Sequence, residues 1–415
     1  MGKNRNGALP VADYERSDQN FLKRFNRRKV LDIFRERKTL SRIELSQIAN
    51  LDKKTITNIT KELLEDGQIR FDHTERKSAG RPKELLSING SYAHCIGIDI
   101  GGSHITGVVL DFSDKLLAFD TVEIDLRNHF DSSAFFSITN LMIDNLLLRS
   151  GLTPDDISMI GIAIPGHTSK KGEATLIENI PCLAGVDIRA FFANRYNKPV
   201  LVGDCSQLMA LAELRIGEGH NANDFLVFDL ALGIGCGIVI NRSIYGGFGG
   251  KSGEIGHMIV ERDGPLCSCG RRGCIEAMAS GWALSAFAKA HIEANPNGIL
   301  ASVSEAAGGA ATTRQLSEAA AQGSSFSTKL LQRAGLYIGI GISNAISLFN
   351  PPRVILGGRL IIDNPILLDA IRASIREKTI DAIYQDTEIV VSKIGGNASA
   401  IGAALQCLDS YYPLS

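Results

Sequence analysis

GEIGHMIVERDGPLCSCGRRGCIE, residues 253–276, gathers one histidine and three cysteines between two glutamates. His257, Cys267, Cys269 and Cys274 have the donor types and close spacing of a tetrahedral zinc site, with three soft thiolates and one imidazole. Gly264, Gly270 and Gly273 supply the sharp turns that such a knuckle needs. Glu254 and Glu276 stand just outside the four ligands, where carboxylates beside tight turns can accept hydrogen bonds from the hydroxyls of a small polyol. The first expectation is a sugar site braced by structural Zn2+. The same cysteines would also suit a disulfide with one thiol left over, or a set of inert buried thiols, and the glutamates would also suit a solvated surface. Context disfavours the disulfide: no signal peptide opens the chain, and Cys95, Cys182, Cys205, Cys236 and Cys407 are scattered singly.

A chain of 415 residues exceeds one ordinary core, so two or three domains are expected. It is 44% hydrophobic and 21% charged, with no apolar run of about 18 residues, which predicts a globular cytoplasmic protein without a membrane span. Charge is unevenly spread. Residues 23–90 hold 17 Lys and Arg against 10 Asp and Glu, a balance of +7, and the total of -1 leaves -8 for the remainder. A basic end on an acidic chain points to a nucleic-acid partner for that end.

Residues 1–22 are polar and aperiodic, with early Gly and Pro, and are expected to be a disordered tail. A first helix is expected near residues 27–37, with Val30, Leu31, Ile33 and Phe34 as its apolar stripe. Ser41-Arg42-Ile43-Glu44 is a capping box opening a second helix. Asp52 caps a third helix, with Ile56, Ile59, Leu63 and Leu64 on one face and Lys54, Thr57, Asn58 and Lys61 on the other. The second set suits phosphates and base edges in a major groove. Two short strands follow, at 69–71 and 84–88, joined by a basic wing from which Arg81 and Lys83 would enter a minor groove. Together these features predict a winged helix-turn-helix at 23–90. A small helical adaptor with a solvated charged face would share part of the pattern.

From residue 93 the texture changes to HCIGIDIGGSHITGVVLDFSDKLLAFDTVEI, three strands in succession. Gly101, Gly102 and Ser103 form the first turn, whose amides could approach a phosphate; a plain hairpin would look the same. The pattern then runs through a helix at 132–148 and strands at 157–164 and 200–203 to a helix at 205–216. After residue 217 the plan repeats, with three strands between 225 and 245, the knuckle as an insertion at 254–276, and helices alternating with strands to the end. Two β-β-β-α-β-α-like halves with facing glycine turns predict a bilobal α/β clamp, lobes at 91–216 and 217–415, and a ligand between them.

DIGGSH at 99–104, GEIGHMIV at 253–260 and CSCGRRGC followed by Ile275-Glu276 resemble the signatures of the ROK family of repressors, open reading frames and kinases. That resemblance implies an actin-like, hexokinase-like fold over about residues 91–410. With the preceding winged helix, the chain is similar to the family's repressor branch, which includes xylose and N-acetylglucosamine repressors. The resemblance implies that His257, Cys267, Cys269 and Cys274 hold a structural zinc, that the second nitrogen of His257 donates to the sugar, and that Glu254 and Glu276 accept from ring hydroxyls.

The kinase machinery is where the sequence departs from the family. An ungapped match through Ala210-Leu211-Ala212-Glu213 puts Asp204 where the kinases have Asn and Cys205 where they have the catalytic Asp. A thiol with a pKa of about 8.5 does not replace a carboxylate base. The L-G-T-G phosphate turn becomes Leu230-Ala231-Leu232-Gly233, so Ala231 and Leu232 place bulk where a phosphate would approach. No residue is expected to be catalytic; Asp204 joins Glu254, His257 and Glu276 as a sugar contact, and Gly101–Ser103 is at most a vestigial phosphate loop. The expected protein is a homodimeric regulator that binds an operator in double-stranded DNA and takes a monosaccharide as effector. Its rivals are an ATP-dependent sugar kinase with an added DNA-binding unit, and a regulator that answers to a protein partner.

Overall fold

The structure is a computed structural model and describes residues 11–75, 83–124, 132–168, 174–176, 180, 183, 185–362 and 364–411. It opens with α1 (Val11–Arg37). Residues 11–22 are therefore helical, which corrects the expected disordered tail over that stretch. The physical reason is propagation: no Gly or Pro interrupts residues 11–37, and once the buried turn around Val30 and Phe34 has formed, each further helical residue adds a hydrogen bond at little cost.

β1 (Thr39–Leu40), α2 (Arg42–Ala49), α3 (Lys53–Glu65), β2 (Ile69–Glu75) and β3 (Lys83–Ile88) complete the N-terminal unit, with sheet order β1-β3-β2. The capping box is formed: the Glu44 amide donates to the Ser41 hydroxyl at 3.4 Å, and the Ser41 amide donates to the Glu44 carboxylate at 3.0 Å. Asp52 caps α3 by accepting from the Thr55 amide at 2.9 Å. Ile56, Ile59 and Leu63 are buried, while Lys54, Thr57, Asn58 and Lys61 are exposed.

The body begins with a meander, β4 (His94–Ile100), β5 (His104–Asp111) and β6 (Leu116–Glu123), followed by α4 (Ser132–Ser150) and β7 (Ile157–Ile164). A short ribbon, β8 (His167–Thr168) with β9 (Ala174–Leu176), leads to α5 (Ile188–Tyr196), β10 (Val200–Asp204) and α6 (Cys205–Ile216). The sheet order is β10-β7-β4-β5-β6. The second half repeats it with β11 (Phe225–Leu230), β12 (Ile234–Ile240) and β13 (Ser243–Ile244). Helices α7 (Ile275–Ala279), α8 (Gly281–Ala294), α9 (Ile299–Ala306), α10 (Thr313–Ala321) and α11 (Ser325–Phe349) come next. The chain closes with β14 (Arg353–Gly357), α12 (Pro365–Lys378), α13 (Asp381–Asp386), β15 (Glu388–Val391) and α14 (Ala398–Asp409). The second sheet runs β13-β12-β11-β14-β15, the same plan as the first: an antiparallel meander continued by two parallel strands.

The lobes do not divide at residue 216 as expected. Helix α14 returns to pack on β4 and β7 of the first sheet, and α6 packs on β11 and β12 of the second, so the two helices cross between the sheets. Glycine makes the crossing close. Gly97 and Gly161 are register partners on β4 and β7, and a Cβ on them would lie 1.9 Å from the Ala400 carbonyl oxygen and 2.0 Å from that of Ala403. A Cβ on Gly402 would lie 1.8 Å from the Leu208 oxygen of α6. Only glycine permits such backbone contact. The N-terminal unit shares this core as well, because Val30, Leu31 and Phe34 cluster with Phe112, Leu405 and Leu408. No described helix is long and apolar enough to cross a membrane.

Candidate functional site

A cleft of about 1290 Å³ opens between the two sheets, lined from both halves by Asp99, Asp204, Leu232, Glu254, His257 and Glu276 among others. The knuckle forms one wall. Its ligand atoms, from His257, Cys267, Cys269 and Cys274, all lie within 4.8 Å of one another. The His257 Nδ1 is 3.5 Å from the Cys267 Sγ, and the Sγ atoms of Cys269 and Cys274 are 3.6 Å apart. A tetrahedral zinc with Zn–S bonds of about 2.3 Å holds its sulfurs roughly 3.8 Å apart, whereas a disulfide needs about 2 Å. The donor set therefore fits a metal ion and excludes the disulfide reading for Cys269 and Cys274. Burial pushes the Cys274 thiol up to about 12 and raises that of Cys267. Burial acts on Cys269 too, but hydrogen bonds from Arg271 and the neighbouring thiols bring it down to about 7. Only a cation among them would let all three ionise together.

The knuckle's shape depends on backbone that only glycine adopts. Gly273 has a φ of 71°, and a Cβ there would fall 1.5 Å from the Glu261 carbonyl oxygen. Gly270 has a φ of 81° in the turn where its amide donates to the Cys267 carbonyl at 3.0 Å. With Nδ1 facing the sulfurs, the His257 Nε2 faces Glu254 at 3.7 Å. Glu276 stands in the first turn of α7, and its Oε2 accepts from the Ile234 amide at 3.1 Å, a partner that the sequence does not announce. Gly233 leaves room for that approach, since a Cβ there would come within 2.9 Å of the same oxygen.

Asp204 ends β10 and caps α6, accepting from the Gln207 amide at 3.0 Å, and Cys205 is the first residue of the helix. Burial, with help from the charges of Glu254 and Asp229, pushes the Asp204 carboxyl up to about 7. Burial together with the charge of Asp204 raises the Cys205 thiol far above its ordinary range, so Cys205 is held neutral. Asp99 and Asp229 were missed by the sequence reading. They occupy matching places near the ends of β4 and β11, and the signal that could have found them is the repeat of GIDIGG in VFDLAL. Burial and the charge of Asp99 push Asp229 up to about 6. Asp99 itself faces the His104 Nε2 at 3.3 Å.

Both phosphate-type turns line the cleft, and part of the backbone of each is already bonded. In the first, the Gly101 amide donates to the His104 carbonyl at 3.0 Å, and the imidazole of His104 fills the space beside Gly101, 2.5 Å from where a Cβ would stand. In the second, the Ala231 amide donates to the Gly233 carbonyl at 3.0 Å, while the amides of Gly281 and Trp282, at the start of α8, donate to the carbonyls of Ala231 and Leu232. Of the residues expected at DNA, Lys54, Thr57, Asn58 and Lys61 share the exposed side of α3. Arg81 lies outside the described residues. Lys83 is turned back onto Glu44 at 2.5 Å and Glu75 at 3.9 Å, and this contact and the Ser41 amide pull the Glu44 carboxyl down to about 2.

The ROK family model matches residues 95–409, about three quarters of the chain. The chain belongs to the ROK family. It is 28% identical over 398 residues to the xylose repressor of Bacillus spizizenii, covering 95% of this chain and 98% of that protein. It is 27% identical over 388 residues to the DNA-binding transcriptional dual regulator NagC of Escherichia coli, covering 92% of each. Among solved structures, a ROK family transcriptional regulator described as a homologue of the E. coli MLC protein aligns at a TM-score of 0.74 and 26% identity, covering 94% of this chain and 97% of that one. A ROK family glucokinase from Streptomyces griseus, in complex with glucose and AMPPNP, aligns at a TM-score of 0.65 and 28% identity, covering 76% of this chain and 99% of the glucokinase. The actin-like, hexokinase-like bilobal α/β fold is the family's.

Proposed function

We propose that this protein is a sugar-responsive transcriptional repressor whose residues 23–90 act as a winged helix-turn-helix and whose cleft binds a monosaccharide as effector. One observation carries the reading: regulators match the chain over nearly its whole length, N-terminal unit included, whereas the glucokinase matches a share equal to the ROK region alone. In this proposal Glu254, Glu276 and Asp204 accept from sugar hydroxyls. Structural Zn2+ on His257, Cys267, Cys269 and Cys274 fixes the wall, leaving the Nε2 proton of His257 for the ligand. Lys54, Thr57, Asn58 and Lys61 on α3 meet the major groove. Arg81 and Lys83 on the wing would enter a minor groove, Lys83 exchanging its surface ion pair with Glu44 for a contact with DNA. A homodimer would present two such units to a pseudo-palindromic operator.

The deciding experiment selects duplexes from a random-sequence pool with the purified protein, then measures binding of the selected duplex with and without D-xylose, D-glucose and N-acetyl-D-glucosamine. A change in affinity with one of these sugars is expected, and no change with any of a wider monosaccharide panel would sink the effector assignment. Lys54→Ala or Lys61→Ala should lower DNA affinity and reduce the slope of log K against log salt by about one each. An unchanged slope removes that lysine from the interface.

A second reading, an ATP-dependent sugar kinase with an appended DNA-binding unit, is favoured by the Asp204 carboxyl, whose pKa of about 7 suits a general base. Incubation with ATP, Mg2+ and hexoses tests it. Turnover lost in Asp204→Ala and kept in Cys205→Ala would establish the kinase.

A further inference from the structure

At the junction between the N-terminal unit and the body lies an ion cluster of three arginines and three aspartates. Arg28, Asp32 and Arg35 come from α1, Asp114 from the β5–β6 turn, Arg215 from the last turn of α6, and Asp409 from the last residue of α14. Asp409 accepts from Arg215 through one oxygen and from Arg28 through the other, the latter at 3.0 Å. Asp114 Oδ2 is shared between Arg215 at 2.9 Å and Arg35 at 3.4 Å, and Arg35 also donates to Asp32 at 2.9 Å. Burial would raise the Asp409 carboxyl, but Arg215, then Arg28 and Arg35, hold it below the ordinary carboxylate range.

Each of the three body charges sits at the far end of an element whose near end lines the cleft. Helix α6 starts at Asp204, α14 starts at Ala398 and Ser399, and the β5–β6 hairpin starts at His104 and ends at Glu123, all of them cleft residues. Each helix has 12 residues, so it spans about 18 Å at ~1.5 Å per residue. The close backbone approach of Gly402 to Leu208 packs the two helices directly against each other. The cluster is also incompletely satisfied: Arg35 Nη2 and Asp114 Oδ1 are buried without a hydrogen-bond partner. Buried ion networks add little net stability over an apolar packing but do fix geometry, and three acids facing three arginines with spare donors and acceptors have more than one way to pair.

We infer that this cluster is the relay through which occupancy of the cleft sets the orientation of the N-terminal unit, with Arg28 and Arg35 reading the positions of Asp114, Arg215 and Asp409. The inference rests on the sugar-responsive reading above. A change in lobe separation moves the near ends of α6, α14 and the hairpin, and their far ends exchange partners against α1. Two arrangements of one charged set supply the bistable element that coupling between distant sites requires.

The test compares the ratio of DNA affinities with and without sugar, using the selected duplex and whichever of D-xylose, D-glucose or N-acetyl-D-glucosamine shifts the wild type. Arg28→Gln, at the rim of the cluster, and Asp114→Asn, at its centre, are each expected to reduce that ratio at least fivefold, toward one. Sugar affinity measured calorimetrically without DNA should stay within about twofold of wild type. Arg28→Lys, which keeps the charge, should retain most of the ratio. A cluster that only glues the unit to the body would lower the melting temperature in Arg28→Gln and leave the ratio at its wild-type value, and that result overturns the relay. If the wild type responds to no sugar, the functional reading fails and the relay with it; a wild-type response that persists undiminished in both variants sinks the relay alone.

Discussion

The two walls of the cleft have fared differently. The knuckle wall presents carboxylates to the cleft, Glu254 and Glu276, with a ligand set spaced for a metal behind His257. The opposite wall keeps its glycine turns but fills them, with the His104 imidazole beside Gly101 and Leu232 in the second turn, where the carbonyls of Ala231 and Leu232 accept from the start of α8. A fold shared with a ROK glucokinase thus carries carboxylates on one wall of its cleft and narrowed glycine turns on the other.

Four experiments press on that contrast. The largest effect is expected from Cys269→Ser, which should drop the metal content from about one zinc per chain to near zero and abolish sugar binding, read by elemental analysis and calorimetry; a full complement of metal would remove Cys269 from the ligand set. Glu276→Ala should weaken sugar binding by roughly ten- to hundredfold, since a hydrogen bond to a charged group contributes about 1.5–3 kcal/mol. It should also loosen the Ile234 turn that this carboxylate holds. An unchanged sugar affinity would return Glu276 to a purely structural role.

The third is a pH dependence. Folding raises the Asp204 carboxyl from 3.8 to about 7, so the folded chain holds a proton there that the unfolded chain releases. The stability tied to this proton is fully present below about pH 4 and is lost as the pH rises to about 7. Asp204→Asn keeps the helix cap but cannot ionise. The melting-temperature difference between the variant and the wild type should therefore move in the variant's favour across that window and level off above it. A difference that stays flat with pH would show that the carboxyl titrates normally. The smallest effect is expected on the closed wall: Ala231→Gly with Leu232→Thr should raise AMPPNP affinity by no more than about tenfold, the worth of one or two recovered contacts. A large gain would mean that this turn alone had excluded the nucleotide.

Much of this architecture was legible in the sequence because it is local. The capping box at Ser41, the period of Ile56, Ile59 and Leu63, and the helix at Cys205–Ile216 follow from neighbours a few residues apart. The knuckle was legible because a metal's donors must be close and its turns must be glycine. What escaped depends on long-range contact. The crossing of α14 onto the first sheet is written in Gly97 and Gly161, yet each reads alone as an ordinary strand glycine until its partner at Ala400 or Ala403 is known. Asp99 and Asp229 carry no local signature of their buried neighbourhood. The start of α1 was misplaced because hydrophobic periodicity reports which face is buried, whereas a helix can extend well past its buried turns.

The crossing also constrains how the chain is made. Residue 97 meets residue 400, so about three hundred residues are synthesised after β4 before the first sheet receives the helix that covers it. Until then the faces of β4 and β7 stay open, and the N-terminal unit lacks Leu405 and Leu408, which complete its core. Synthesis order and assembly order therefore run against each other: the N-terminal unit is made before α14 but sealed only after it, and a chain cut ahead of Leu405 would leave that unit's core open.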